Sequence, residues 1–167
     1  VLVGDGAGAV VLSASEQPGI LGSYIHADGQ HKQLLHISNH LPDQAFAGEK
    51  LEAKLTMQGN KVFRYAVTML EKVVLEVLQK QGLEKSAIDW LIPHQANERI
   101  IAATANNLGL SMDRVVLTLP THGNTSAASI PLALACAVEQ KKIKHGELLL
   151  LEAFGAGFVW GAALVKY

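Results

Sequence analysis

The chain of 167 residues is 49% hydrophobic and 17% charged, enough apolar material at single-domain length to bury a sizeable core. Its 14 Lys plus Arg against 15 Asp plus Glu leave a formal net charge of -1 with no blocks of like charge, which argues against nucleic acid or an anionic membrane as partner. No apolar run reaches the roughly 18 to 20 residues of a spanning helix, and the start VLVGDGAGAVVLSAS has neither a basic n-region nor a cleavage signal, so the expected location is the cytoplasm. One cysteine, Cys136, excludes an intrachain disulfide and any multi-cysteine metal site, and no cofactor is expected. The sequence also opens on Val1, without an initiator methionine and already inside an apolar run, as if a segment upstream were missing.

In chain order, Val1 to Val3 and Ala9 to Ser13 are β-rich, with the glycines of GDGAGA between them. A second β-like run, Ile20 to His26, follows the Pro18-Gly19 turn, and together they suggest a hairpin. Residues 28 to 54 are polar and broken by Asp28-Gly29, Leu41-Pro42 and Gly48, which reads as a long excursion. From Val62, apolar residues at 62, 66, 67, 69, 70, 73, 74, 77 and 78 keep helical spacing up to the stop at Gln81-Gly82.

Ile88 to Ile92 reads as a short buried strand and Asn97 to Leu108 as a helix ended by Gly109. Val115 to Leu119 reads as a further strand. Asn124-Thr125-Ser126 can cap a helix through Pro131 to Gln140, since proline is tolerated near a helix start. Leu148 to Glu152 and Phe158 to Lys166 close the chain as two strands around Gly155-Ala156-Gly157. This order predicts α/β layering, a mixed sheet covered by helices.

Several motifs have an ordinary structural reading. GDGAGA leads into VVLSAS rather than into a helix, so it lacks the helix N-terminus that phosphate binding needs; its glycines suit a bend or a close backbone approach. Cys136 lies midway along IPLALACAVEQ, with no helix N-terminus or cationic neighbour to make it a nucleophile, and reads as core packing. His26, His31, His36 and His40 fall in a segment that is not a convincing helix and read as loop histidines rather than metal ligands.

His94 differs, because LIPHQANERI places it where a strand ends and a helix begins, the usual position of ligand-binding groups in open α/β sheets. Taken alone it is equally a satisfied structural histidine. HGNTSAAS repeats the arrangement after the next strand, and Asn124 there is either a helix cap or an amide donor. EAFGAGF makes a third such turn, which is either a hairpin loop or part of a site. The three turns converge if their strands are neighbours. A histidine Nε2–H and an asparagine amide can donate two hydrogen bonds to one developing oxyanion, each worth roughly 3 to 4 kcal/mol. The pair lacks a nucleophile.

PHQAN (93 to 97), HGNTSAAS (122 to 129), LLEAFGAGFVWGAALV (150 to 165), and GDGAGA with the following HADG (26 to 29) resemble β-ketoacyl-acyl-carrier-protein synthase III, the initiating condensing enzyme of bacterial fatty-acid synthesis. The resemblance runs over nearly the whole chain and is weakest at residues 30 to 55. It implies the C-terminal half of a thiolase-like fold, the N-terminal half with the nucleophilic cysteine being absent. Cys136 does not match the family's cysteine motif. The implied reaction loads an acyl group from acyl-CoA, usually acetyl, on that cysteine and condenses it with malonyl-acyl carrier protein after loss of carbon dioxide.

On that resemblance His94 and Asn124 are the catalytic pair that binds the thioester oxygen. Phe154 shields the site, and the Ala156 N–H serves a second oxyanion hole. Gln95, Ala96, Asn97, Glu98 and Arg99 match the carrier-protein-binding segment, and Gly59, Phe63 and Asn97 the wall of the substrate tunnel. Arg64, Arg99 and Lys61 are the basic contacts an acidic carrier needs. The partners implied are acyl-CoA, malonyl-acyl carrier protein, the missing half, and a second copy in a homodimer. Two other readings are a related synthase making a quinolone or polyketide starter, and a non-catalytic half-length partner protein.

Overall fold

The computed structural model describes residues 3–38 and 54–167. A four-stranded mixed sheet in the order β1-β6-β5-β4 is built from β1 (Ile20–Ala27), β4 (Trp90–Pro93), β5 (Leu148–Gly155) and β6 (Val159–Lys166). β6 runs antiparallel to both β1 and β5, and β4 runs parallel to β5 with Trp90 opposite Leu149 and Pro93 opposite Glu152. A second, two-stranded sheet pairs β2 (Leu35–Ser38) with β3 (Lys54–Met57). The mixed sheet covered by helices matches the expectation from element order.

Trp90–Pro93 and Leu148–Leu150 are continuous apolar runs because both sheet faces are covered there. Strand alternation sends Leu91, Leu148 and Leu150 to one face, against Val73, Val74 and Val77 of α1 (Gly59–Lys80) and Ile101 and Ala105 of α2 (Glu98–Leu108). Trp90, Ile92 and Leu149 go to the other, against Ala133 and Ala137 of α4 (Ser129–Glu139). Each fully buried Val, Leu or Ile in these layers contributes roughly 1.5 to 3 kcal/mol.

The helix expected from Val62 forms, with Val62, Ala66, Leu70, Val73, Val74, Val77 and Leu78 buried and Gly82 in the left-handed region just past its end. α2 forms as expected too: Asn97 caps it, its Oδ1 accepting from the Arg99 N–H at 2.9 Å, and Gly109 closes it at φ 71°.

Four expectations change. Residues 3–15 form no strand, Val11 is 96% exposed, and β1 pairs with β6 instead of a preceding hairpin arm. A strand needs a ladder neighbour, and Ala9 to Ser13 has none among the described residues. Its glycines do serve close approach: a Cβ on Gly6 would lie 2.9 Å from Thr125 Cγ2, and one on Gly8 2.5 Å from Pro131 Cγ. Val115 to Leu119 is reduced to one parallel bridge between Leu91 and Val115, because a side chain takes over the backbone groups beyond it. α3 (Leu119–His122) then forms where the strand was expected to end.

The helix expected from Asn124 begins at Ser129, after a 3-10 turn at Ser126–Ala128 that Ser126 enters at φ 53°. Cys136 is half-buried rather than in the core, and its Sγ accepts from Gln140 Nε2 at 3.1 Å. The excursion after Asp28 holds a 3-10 turn at Gly29–Leu34 and then β2; His40 lies outside the described residues. No helix among the described residues is long and apolar enough to cross a membrane.

Candidate active site

β5, β4 and the Val115 segment are consecutive neighbours, so the turns at their ends meet. Between them lies a cavity of about 330 Å³ lined by His94, Ala96, Asn97, Asn124, Phe154, Ala156, Gly59 and Phe63, among others. Eight of the sequence-predicted residues thus share one cavity; Gln95, Glu98 and Arg99 do not line it.

The parallel ladder fixes His94, whose N–H donates to the Glu152 carbonyl at 2.8 Å. Its ring stands edge-on to Phe154, with centroids 6.1 Å apart, and Nδ1 lies 2.7 Å from Ser129 Oγ. Burial disfavours the imidazolium and lowers its pKa below the ordinary histidine value, so the ring is neutral at neutral pH. Nε2 has no hydrogen-bond partner among the described residues.

Asn124 follows Gly123, which turns the chain at φ 69°, a backbone conformation that glycine tolerates best. Its Oδ1 accepts from the Ser126 N–H at 3.0 Å, and its carbonyl from the Gly4 N–H at 2.7 Å. The carboxamide oxygen is therefore occupied and Nδ2–H remains to donate. With the hydrogen of the neutral ring on Nε2, the ring N–H and the amide N–H would be two donors able to serve one developing oxyanion.

Phe154 packs with Phe63 on Ala66, Leu70 and Ile100, which holds its ring at the cavity wall. Ala156 occupies the exposed tip of the β5–β6 turn, where the left-handed conformation falls on Gly157 rather than on the alanine. An alanine therefore fits there without strain.

Gln95 is misplaced by the sequence reading as a docking residue. It is fully buried, so its side chain cannot touch a carrier protein. Nε2 donates to the Pro93 carbonyl at 2.9 Å and the Val116 carbonyl at 3.0 Å, while Oε1 accepts from the N–H groups of Thr118 at 2.9 Å and Leu119 at 3.0 Å. This carboxamide does the work of the missing strand ladder. Asn97, Glu98 and Arg99 are exposed, and the Arg99 guanidinium lies 5.3 Å from the Phe63 ring centroid at the cavity edge.

Sequence reasoning missed Ser129 and Glu152. Ser129 ends the HGNTSAAS motif, and its signal was a small polar residue inside an otherwise apolar helix start. Glu152 stands in LLLLEAF and faces the α1/α2 layer in register with Leu150. Complete burial pushes its carboxyl up to about 8, with the Thr104 hydroxyl nearby opposing weakly. Neither Thr104 Oγ1 nor Glu152 Oε2 has a hydrogen bond of acceptable geometry.

Residues 78–167 match the family described as 3-oxoacyl-[acyl-carrier-protein (ACP)] synthase III C terminal, and residues 1–29 match 3-oxoacyl-[acyl-carrier-protein (ACP)] synthase III. The chain is 58% identical over its whole length to a β-ketoacyl-[acyl-carrier-protein] synthase III of Pectobacterium atrosepticum and 54% to that of Thiobacillus denitrificans, covering 51% of each. It superposes on the 3-oxoacyl-[acyl-carrier-protein] synthase III of Aquifex aeolicus with a TM-score of 0.82 at 39% identity, over 93% of this chain and 47% of that one. The priming β-ketosynthase of the R1128 polyketide pathway gives 0.81 at 32% identity, over 90% and 46%. The chain spans about half the length of the curated relatives it matches. With its thiolase-like α/β fold and a family match over more than half its length, this chain belongs to the 3-oxoacyl-[acyl-carrier-protein] synthase III family.

Proposed function

We propose that the chain supplies the enolate-stabilising half of a decarboxylative condensing enzyme. That enzyme joins an acyl-CoA starter, acetyl-CoA in the first instance, to malonyl-acyl carrier protein at the start of fatty-acid synthesis. The observation that supports this is the convergence of His94, Asn124 and Phe154 on one cavity. The malonyl thioester oxygen accepts from His94 Nε2–H and Asn124 Nδ2–H. As the C–C bond to the carboxylate breaks, its electron pair forms the enolate and carbon dioxide leaves. The Phe154 ring keeps the carboxylate from water, which favours passing its charge to the enolate as neutral carbon dioxide leaves. The enolate carbon then attacks the carbonyl of an acyl thioester on a cysteine supplied by the half that the relatives carry in addition. The Ala156 N–H is one donor to the tetrahedral oxyanion so formed, whose collapse breaks the C–S bond and releases the cysteine thiolate.

On this reading the chain alone is inactive, and the complete enzyme is a homodimer working in the cytoplasm. Ala96, Asn97, Glu98 and Arg99, with Lys61 and Arg64 nearby, form the carrier-docking edge; Gly59, Phe63 and Asn97 flank the pantetheine path. The test is malonyl-carrier decarboxylation by the enzyme at the length of its relatives, followed separately from acyl loading. Decarboxylation that survives loss of both His94 and Asn124 side chains would overturn the assignment. A polyketide-priming role is a second reading, supported by the similar fold of the R1128 enzyme. Starter-acyl competition assays separate the two.

A further inference from the structure

Ser129 has one hydroxyl proton and three polar neighbours. Oγ lies 2.7 Å from His94 Nδ1, 2.8 Å from the Ser126 carbonyl and 3.3 Å from the Gln95 nitrogen. The Gln95 N–H can only donate, so it takes one lone pair of the hydroxyl. The remaining choice is where the proton points, and that choice fixes the histidine.

If the proton points at Ser126, His94 Nδ1 must carry its own hydrogen to bond with Oγ, and the neutral ring then turns a bare Nε2 lone pair into the cavity. Such a nitrogen repels an oxyanion. If the proton points at Nδ1, Nε2 carries the hydrogen and donates to whatever occupies the cavity. The Ser126 carbonyl loses little by this, because it already accepts from the Ser129 backbone N–H. Nδ1, in contrast, has no other partner among the described residues. Protonating both ring nitrogens is opposed by the burial of the ring, which disfavours the imidazolium.

We infer that Ser129 is the positioning residue that holds His94 in the Nε2–H tautomer, by donating its hydroxyl hydrogen to Nδ1. The inference rests on the reading of His94 as an oxyanion donor, and it adds the group that makes the ring a donor rather than a base. Ser129 itself touches no substrate: it is buried behind the ring, at the start of α4.

Two-bond proton–nitrogen correlation spectra of the ¹⁵N-histidine-labelled enzyme, at the length of its relatives, report the protonation of each ring nitrogen directly. The expected pattern for His94 near neutral pH is a protonated Nε2 and a bare Nδ1. The reverse pattern overturns the inference, whatever the activity. This arm needs no variant and is independent of the chemistry, so an enzyme that does not decarboxylate malonyl carrier sinks the functional reading without deciding the tautomer. In a second arm, Ser129→Ala should lose the single-tautomer signature and decarboxylate malonyl carrier about 10²-fold more slowly, the loss expected for one oxyanion donor. Acyl loading on the cysteine should be unchanged. An alanine variant with the wild-type tautomer and wild-type decarboxylation overturns the role.

Discussion

Gln95 Oε1 accepts hydrogen bonds from two successive backbone N–H groups, Thr118 and Leu119, and so binds the turn that carries His94 to the segment that leads to Asn124. The same carboxamide donates to the Pro93 and Val116 carbonyls, so four backbone groups, three of them buried, share one side chain. Each buried group left without a partner costs about 1 to 3 kcal/mol. Gln95→Ala should therefore destabilise the fold by at least roughly 2 kcal/mol, even if water replaces some of the bonds. Denaturant unfolding of the variant measures this. A variant within half a kcal/mol of wild type would mean the clamp is dispensable.

The elements with strong periodicity were readable in the sequence: α1 from its apolar spacing, α2 from Asn97 and Gly109, β5 from four successive leucines. Val115 to Leu119 reads as a strand but is not one, because beyond a single bridge its backbone groups pair with the Gln95 side chain, and nothing in PHQAN distinguishes an exposed glutamine from a buried one. The run at Ala9 to Ser13 has strand composition but no neighbour in the described structure. His94 and Asn124 were legible as candidates since both follow apolar runs that read as strands, although only His94 lies at a strand end in the structure. Their convergence was legible only on the condition that the strands are adjacent, which β4, β5 and the Leu91–Val115 bridge satisfy. Ser129 stood out only as a polar residue in an apolar helix start; its role was not legible, because it comes from a contact 35 residues away in sequence.

His94→Ala and Asn124→Ala should each reduce malonyl-carrier decarboxylation about 10²- to 10³-fold, the range for one lost oxyanion donor, and leave acyl loading on the cysteine largely intact. Separate assays of the two half-reactions in the complete enzyme check this. Equal loss in both would end the division of labour assigned to the two turns. Since burial holds the His94 pKa below 6.5, a neutral donor predicts that the decarboxylation rate stays level as pH falls from 8 to 6.5. A rate that falls through that window would instead mark a base.

Glu152 makes stability depend on pH in an unusual direction. In the unfolded chain its carboxyl titrates near 4.5, whereas burial raises it to about 8 in the fold. Below pH 4.5 it is protonated in both states and adds no pH-dependent penalty. Between 4.5 and 8 the unfolded chain releases the proton and the fold keeps it, so stability declines by about 3 kcal/mol by pH 7 and levels off above 8. Glu152→Gln removes that slope, and any packing penalty of the amide is the same at each pH. Unfolding measured at pH 5 and pH 8 should show the variant gaining on wild type at the higher pH. A difference that is equal at the two values would show that the carboxyl is not held protonated.

The face of β1, β5 and β6 opposite α1 is open: Ile25 is 76% exposed and stands beside Ala153, Leu151 and Ala163 along a shallow apolar trough, while α4 covers the neighbouring strand β4. Such a surface on an isolated chain favours association. The curated relatives that the chain matches are about twice this length. The 167-residue chain by itself should therefore associate with copies of itself at micromolar concentration, and Ile25→Lys should weaken that association by placing a charge in the trough. Sedimentation velocity on both proteins reads the outcome. A wild-type chain that stays a stable, folded monomer at that concentration would show that the trough needs no cover.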